Sequence, residues 1–405
     1  MKILYFHQHF STPAGSGGTR SYEMARRLLS SGHEVTMICG SSANGKTGID
    51  KPFVKGKRRG LVDGIDVIEF DLPYSNKDGF LKRSALFMKF ALRSISIALR
   101  EPTDIVFATS TPLTAGIPGI FAKWIRRKPF VFEVRDLWPE LPKAMGVITN
   151  PIVLWAMGVL EWVSYKSADR LVGLSPGIVD GIARYVPDRS KIALIPNGCD
   201  LELFAGDAEQ WRPEGVSDSD FMAIFTGTHG KANGLGAVID AAAILHSRGT
   251  KGIKIVLVGD GAEKTSLVER VEKEGLGNIV LFHDPVPKNH LAGLLASADV
   301  GLQILANVPA FYYGTSPNKF FDYLAARLPV LTNYPGWIAD LVESNQCGIA
   351  VPPANPELFA PALINLANTS KIERNAMGER AQNLANDQFN RDYLFAMFNK
   401  HLLGF

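Results

Sequence analysis

The feature that most limits how this chain can fold is an alternation. Short apolar runs end in turns of Gly, Pro and Ser, a helical pattern follows, and another apolar run begins. It is set out over Ile3–Phe6, the loop Ser11–Gly18, the helical stretch Thr19–Ser30 and the run at 32–38. It restarts over Phe221–Thr226, the loop Gly227–Gly234, the helical stretch Leu235–Ser247 and Ile253–Val258. Apolar runs separated by helices are the strands of parallel sheets covered on both faces. The expected fold class is therefore α/β, with two doubly wound Rossmann-like domains facing each other.

Further strands are expected at 65–70, 104–108, 129–134, 170–174 and 191–195 in the first half, and at 279–282, 299–305, 330–333 and 348–351 in the second. A chain of 405 residues exceeds one ordinary core, so two domains are the natural division. The polar stretch 206–219, with Pro213 and Gly215, reads as the hinge. This gives a domain over 1–205, a second over 220–388, and a tail over 389–405 expected to return as a helix to the first.

Composition removes several function classes. There are 43 basic and 40 acidic residues, a balance that does not suit a nucleic-acid binder. Cys39, Cys199 and Cys347 are far apart and fit neither a metal motif nor a disulfide framework. That usage suits a reducing cytosol. The first residues read as a strand rather than a signal peptide, and no apolar run has the length of a membrane span.

The stretch 299–326 carries the clearest sign of chemistry. An apolar strand leads to Gly314-Thr315-Ser316-Pro317-Asn318-Lys319, then Phe320, Phe321, Leu324 and Ala325 recur at helical spacing. Ser316 is the expected N-cap and Pro317 the first helical residue. The helix start would offer free N–H groups and a positive dipole end to a phosphate. Lys319 adds a cation where the helix itself gains nothing from one, so an anionic ligand explains it better. Asp322, one turn on, has the chemistry to accept hydrogen bonds from a ribose diol. The alternative is an ordinary capped helix with a solvated lysine.

Other candidates lie at strand ends. Gly15 and Gly17 begin a dinucleotide fingerprint whose third glycine would fall on Arg20, so the NAD signature fails. Gly17 and Gly18 still allow backbone N–H groups to approach a phosphate, though a plain tight turn fits as well. The strand at 129–134 runs into Arg135, Asp136 and Glu140, polar groups where open α/β sheets bind ligands. An isolated structural Arg–Asp pair is the alternative there. His7 and His9 follow the first strand. Asp218-Ser219-Asp220 has the letters of a metal-binding motif but opens a strand instead of closing one, so no metal is expected. In the expected helix 80–100, Lys82, Lys89, Arg93, Ser96 and Arg100 form one stripe among apolar residues. That stripe suits either a solvated outer face or an anionic membrane surface.

Taken together, these motifs resemble the retaining family-4 glycosyltransferases of the GT-B fold, in which two Rossmann-like domains face each other across a cleft. The resemblance rests on Gly17-Gly18, Gly32-His33-Glu34-Val35, Pro196-Asn197-Gly198, Val258-Gly259-Asp260-Gly261 and the stretch around Asp322. Residues 132–140 with Ser316-Pro317-Asn318-Lys319 resemble a narrower branch of O-antigen and capsule enzymes, including N-acetyl-L-fucosamine transferases. The resemblance implies an acceptor-binding first domain and a nucleotide-sugar-binding second one. It implies a UDP-sugar donor as substrate, no cofactor, and a lipid-diphosphate-linked or oligosaccharide acceptor. The enzyme would be cytoplasmic and peripheral on the inner face of the plasma membrane.

The implied roles are these. Lys319, Lys231 and the helix start after Ser316 stabilise the departing diphosphate. Gly17, Gly18, Thr228, Val286, Asn318 and Asp322 complete the nucleotide set, and Asp136 orients the acceptor or the sugar. Arg135, Glu140 and His9 are the acceptor-side candidates. The family's first motif acid falls on Gly314, and its second is shortened by one methylene to Asp322. A frequent histidine beside the sugar falls on Arg135, and the usual Arg and Lys of the second phosphate loop fall on Thr228 and Asn233. A deoxy or N-acetylated donor sugar would fit these departures. A UDP-sugar 2-epimerase and a non-catalytic nucleotide-sugar binder are the rival readings.

Overall fold

The structure, a computed structural model, describes residues 1–15, 17–42, 46–75, 78–204 and 208–404. Ser16 of the first glycine loop, residue 205 at the expected domain end, residues 206 and 207 of the expected hinge, and the terminal Phe405 lie outside the described residues. Two units form. One contains residues 1–197, 314–316 and 392–405, the other 198–313 and 317–391.

Among the described residues the first unit is built on eight strands: β1 (Lys2–Phe6), β2 (Glu34–Ser42), β3 (Lys57–Val62), β4 (Ile65–Tyr74), β5 (Ile105–Thr109), β6 (Phe130–Val134), β7 (Arg170–Gly173) and β8 (Ile192–Leu194). Their order is β3-β4-β2-β1-β5-β6-β7-β8. All neighbours are parallel except β3 and β4, which form an antiparallel hairpin. β3 was not expected from the sequence. Its Lys-Arg-Arg-Gly start shows no strand pattern, yet charge is what an exposed sheet edge carries to avoid further pairing. The strand order reverses between β1 and β5, so the loops after those two strands part and open a crevice at their carboxyl ends.

Among the described residues the helices between its strands are α1 (Arg20–Ser30), α2 (Phe80–Arg100), α3 (Ile117–Arg126), α4 (Glu140–Ala144), α5 (Pro151–Ser167) and α6 (Pro176–Ala183). β1 through β2 winds one way from the reversal and β5 through β8 the other. The right-handed crossover rule therefore sets α1 on one face and α2, α3 and α5 on the other. The stripe on α2 is exposed, as either sequence reading required. Lys82 is paired with Asp78 at 2.7 Å, and Arg93 donates to the Gly56 carbonyl at 3.1 Å.

The second unit opens with α7 (Leu201–Phe204) and is built on β9 (Phe221–Thr226), β10 (Ile253–Val258), β11 (Val280–His283), β12 (Val300–Gln303), β13 (Val330–Thr332) and β14 (Gly348–Ala350). All are parallel, in the order β11-β10-β9-β12-β13-β14. The reversal falls between β9 and β12. The helices are α8 (Gly236–Ser247), α9 (Lys264–Lys273), α10 (Lys288–Ala296), α11 (Ala310–Gly314), α12 (Asn318–Ala325), α13 (Trp337–Ser344), α14 (Pro356–Asn368) and α15 (Lys371–Gln388). The last helix, α16 (Arg391–Leu403), belongs to the first unit from Asp392 on. It is held there by Arg27 on Asp392 at 2.7 Å and by Phe398 edge-on to Phe107. The expected break near Phe389 falls between α15 and α16. Each unit has its own buried apolar cluster, one around β1, β5 and β6, the other around β9, β10 and β12.

Candidate functional site

In the second unit the site grows from the reversal between β9 and β12. The loop after β9 and the loop after β12 meet there, the Ala306 N–H donating to the Ala232 carbonyl at 2.9 Å. Gly227 begins the β9 loop at φ +150, and a Cβ on it would meet the Lys319 side chain at 3.1 Å. Gly259, after β10, has φ +149, and a Cβ there would fall 1.8 Å from the Gly227 carbonyl oxygen. Both positions need glycine, which explains why Gly-Asp-Gly and the second glycine loop occur together. His229 is buried in this loop, and burial lowers its pKa to about 4, so it stays neutral.

α12 comes up beneath the same loops. It does not begin at Ser316 as expected. Pro317 is the N-cap, with extended backbone and no side-chain capping bond, and Asn318 is the first helical residue. The Ser316 hydroxyl is spent elsewhere, accepting from the Asn197 N–H at 3.0 Å. Tyr323 fixes the helix from below, its hydroxyl accepting from the Thr226 N–H at 3.0 Å.

Lys319 lies in the first turn of α12. Its ammonium donates to Asn233 Oδ1 at 2.7 Å and sits 4.4 Å from the centre of the Phe225 ring. The Asn233 amide is oriented by donating from Nδ2 to the Thr228 carbonyl at 2.6 Å. Burial pushes the Lys319 pKa down to about 7. A lysine with a neutral partner, at a helix start among backbone N–H groups, is a cation short of negative charge. Thr228 and Lys231 stand on this loop, both exposed, and Asn318 adjoins Lys319.

One turn further, Asp322 is buried. Its carboxylate is 3.2 Å from the Lys288 ammonium, which also binds Asp200. Asp200 in turn pairs with Arg391 at 2.5 Å, so two carboxylates and two cations form one buried cluster. Burial raises the Asp322 pKa, aided by Asp200 and opposed by Lys288. The Asp200 carboxyl is held below the ordinary range because Lys288 and Arg391 outweigh its burial. Val286 is half-buried in the turn just before Lys288. Sequence reading missed Lys288, Asp200 and Arg391, and met Asn233 only as a departure in the second phosphate loop. The first three join positions far apart in the chain, and no local spacing marks them.

In the first unit the reversal between β1 and β5 gathers a second group. His9 lies 4.5 Å from the Tyr74 ring, and burial with the nearby charges of Arg135 and Arg83 lowers its pKa to about 4. Asp136 accepts from the Thr111 hydroxyl at 2.8 Å, and burial raises its pKa from the ordinary aspartate value, opposed by that bond and by Arg135. The Arg135 N–H donates to the Ser110 hydroxyl at 2.9 Å. Gly17 and Gly18 lie in the loop between β1 and α1. Glu140 is exposed and paired with Arg184 at 2.8 Å.

Arg20, standing where a dinucleotide fingerprint would place glycine, is fully buried. It holds Glu133 at 2.7 Å and donates to the carbonyls of Ile195 and Pro196. Thr109 donates to the other oxygen of Glu133. This pair ties the start of α1 to the ends of β5, β6 and β8. Among the described residues no group of three or more His, Cys, Asp or Glu side chains is placed to hold a metal. Asp220 caps its own turn, accepting from the Ser217 N–H and hydroxyl.

Residues 15–198 match the glycosyl transferase 4-like domain, and residues 207–384 match glycosyl transferases group 1. The chain belongs to the GT-B glycosyltransferases. The O-antigen and fucosamine branch is not singled out by these matches. Over 142 residues the glycosyltransferase is 30% identical to a D-inositol 3-phosphate glycosyltransferase of Arthrobacter sp. (strain FB24), a match spanning 33% of each chain. Its structure is similar to that of sucrose-phosphate synthase from Thermosynechococcus elongatus, with TM-score 0.76 and 17% identity over 98% of this chain and 97% of the other. It is also similar to HepE of Anabaena in complex with UDP-glucose, with TM-score 0.72 and 17% identity over the whole of both chains.

Proposed function

We propose that this glycosyltransferase is a retaining, metal-independent enzyme using a UDP-sugar donor. The acceptor is a lipid-diphosphate-linked sugar or oligosaccharide of bacterial surface polysaccharide synthesis. The observation that carries the reading is Lys319: a buried ammonium in the first turn of α12, at the reversal of the second sheet, oriented by Asn233. Charge leaving with a nucleoside diphosphate would gather there, and Lys231 stands on the adjoining loop. Preorganised donors of this kind supply the largest share of transition-state stabilisation in such chemistry. Asp322 and Val286 serve the nucleoside side, and Asp136, Arg135 and His9 the acceptor or the sugar. Gly314 carries no carboxylate for the donor-sugar hydroxyls, which favours a deoxy or N-acetylated sugar.

Incubation with UDP-, GDP- and TDP-sugars, with and without a polyprenyl-diphosphate-linked acceptor, tests this. Released UDP and a glycosylated lipid whose new bond keeps the donor's anomeric configuration are the expected result. Sugar conversion without acceptor would make it an epimerase instead. Binding of UDP-sugar with no turnover on any acceptor would leave only a binder.

A further inference from the structure

The first unit carries an exposed apolar face that its own fold does not cover. α5 reads Pro-Ile-Val-Leu-Trp-Ala-Met-Gly-Val-Leu-Glu-Trp-Val, apolar on every side. A helix of that kind belongs in a core or against lipid. Here Ile152 is 74% exposed and Trp155 70%. α3, its neighbour, presents Trp124 at 67% and Ile125 at 61%, and Trp124 donates to Ser167 of α5 at 2.8 Å. α2 packs beside α3 and exposes Leu81 and Leu92. Single exposed apolar residues are ordinary, whereas large apolar side chains exposed on each of three helices packed in series point to a contact surface.

The charges on these helices identify the contact. α2 carries five Lys or Arg, α3 two and α5 one, against a single acid, Glu161. That acid is buried, and the Tyr165 hydroxyl donates to it at 3.0 Å. Lys89 of α2 and Lys166 near the end of α5 are exposed. Protein–protein interface cores are depleted in lysine, so a partner chain or a second copy is a poor match. Tryptophans with apolar neighbours and a surround of lysine and arginine fit the boundary between acyl chains and anionic headgroups.

We infer that the joint face of α2, α3 and α5 docks on an anionic lipid bilayer, with Trp155 and Ile152 entering the headgroup–acyl boundary. The inference stands on these helices and not on the donor or acceptor chemistry proposed above. Among the described residues no helix is long and apolar enough to cross a membrane, so the contact is superficial.

The test is co-sedimentation with vesicles, using neither donor nor acceptor. Wild-type protein is expected to sediment with phosphatidylglycerol vesicles and far less with phosphatidylcholine alone. Ile152→Glu with Trp155→Glu should lower the partition at least about tenfold, leaving UDP affinity unchanged. Lys89→Glu with Lys166→Glu should lower it about fivefold or more, and raised salt should mimic that effect. The second pair changes exposed charges only, so it decides the matter if the first pair misfolds. The inference falls if wild type ignores both vesicles, if it binds both equally, or if either folded variant binds like wild type. It also falls if the face proves to join two copies, seen as a wild-type dimer that the Glu variants dissolve without any vesicle binding.

Discussion

Lys319 is the residue on which the proposed chemistry turns, and that proposed role is measurable in two ways. Lys319→Ala removes the one cation fixed in the first turn of α12. Turnover is expected to fall about 10²–10³-fold, the usual loss for one preorganised electrostatic contact. Unchanged kcat would remove Lys319 from the reaction. The second measurement is a proton count. Burial holds the free lysine near pKa 7, so at pH 8 most of it is neutral. A bound diphosphate favours the ammonium, so UDP binding at pH 8 should take up close to one proton and weaken as pH rises further. Calorimetry in buffers of different ionisation enthalpy reads this directly, and Lys319→Met should abolish the uptake. Asp322 gives a third prediction. Asp322→Asn should weaken UDP by roughly 1.5–3 kcal/mol more than inorganic diphosphate, because only UDP brings a ribose diol. Equal losses would mean that Asp322 serves Lys288 alone. Lys319 and Asp322 could be picked out in the sequence because a cation at a helix start is locally odd. Lys288 could not, since its meaning comes from partners that folding brings near.

Among the elements, the strands on either side of each reversal were legible because their apolar runs are short, uninterrupted and followed by turn residues. β9, β10 and α2 occupy the expected spans. β3 was hidden because an edge strand is selected for charge, and the start of α12 was misplaced because Ser316 had two possible uses. The Arg20–Glu133 pair shows how a motif's failure can carry information. The bulky cation where a fingerprint glycine is absent ties α1 to three strand ends. Removing one partner leaves the other charged and buried, so Arg20→Met should cost about 3–5 kcal/mol. Replacing both, Arg20→Met with Glu133→Leu, should cost less than Arg20→Met alone. The pH dependence has a definite sign. Burial raises the Glu133 pKa, but the charge and hydrogen bonds of Arg20 outweigh it, so the folded value lies below the usual one. Its contribution is complete above the ordinary glutamate pKa and is lost as pH falls through the depressed folded value. Denaturant titrations from pH 6 downward should show a steeper acid loss for wild type than for the double variant. Parallel curves would mean that the pair does not contribute as an ion pair.

For the whole molecule, the two cores could be expected from the restart of the alternation, whereas the middle visit of the chain to the first unit could not. The chain leaves the first unit near residue 197, touches it again at 314–316 and rejoins it at 392, and no composition shift marks the middle visit. Function at this scale follows from which unit holds which groups. Asp218 and Asp220 lie in the turn before β9, where Asp220 is used as a cap, so a chelator is expected to leave turnover intact; strict need for manganese would reverse that. The separate apolar clusters lead to a further expectation. If each core melts as its own cooperative unit, calorimetry resolves two transitions, and a ligand moves only the one whose unit it binds. The proposed UDP contacts Thr228, Lys231, Lys319 and Asp322 all belong to the second unit, and Arg20 and Glu133 to the first. UDP at a hundred times its Kd should therefore stabilise one transition by about 2.7 kcal/mol. Arg20→Met should lower the other and leave the UDP-sensitive one in place. A UDP shift confined to the transition that Arg20→Met lowers, with the other unmoved, would place the nucleotide in the first unit and overturn the assignment of those four contacts.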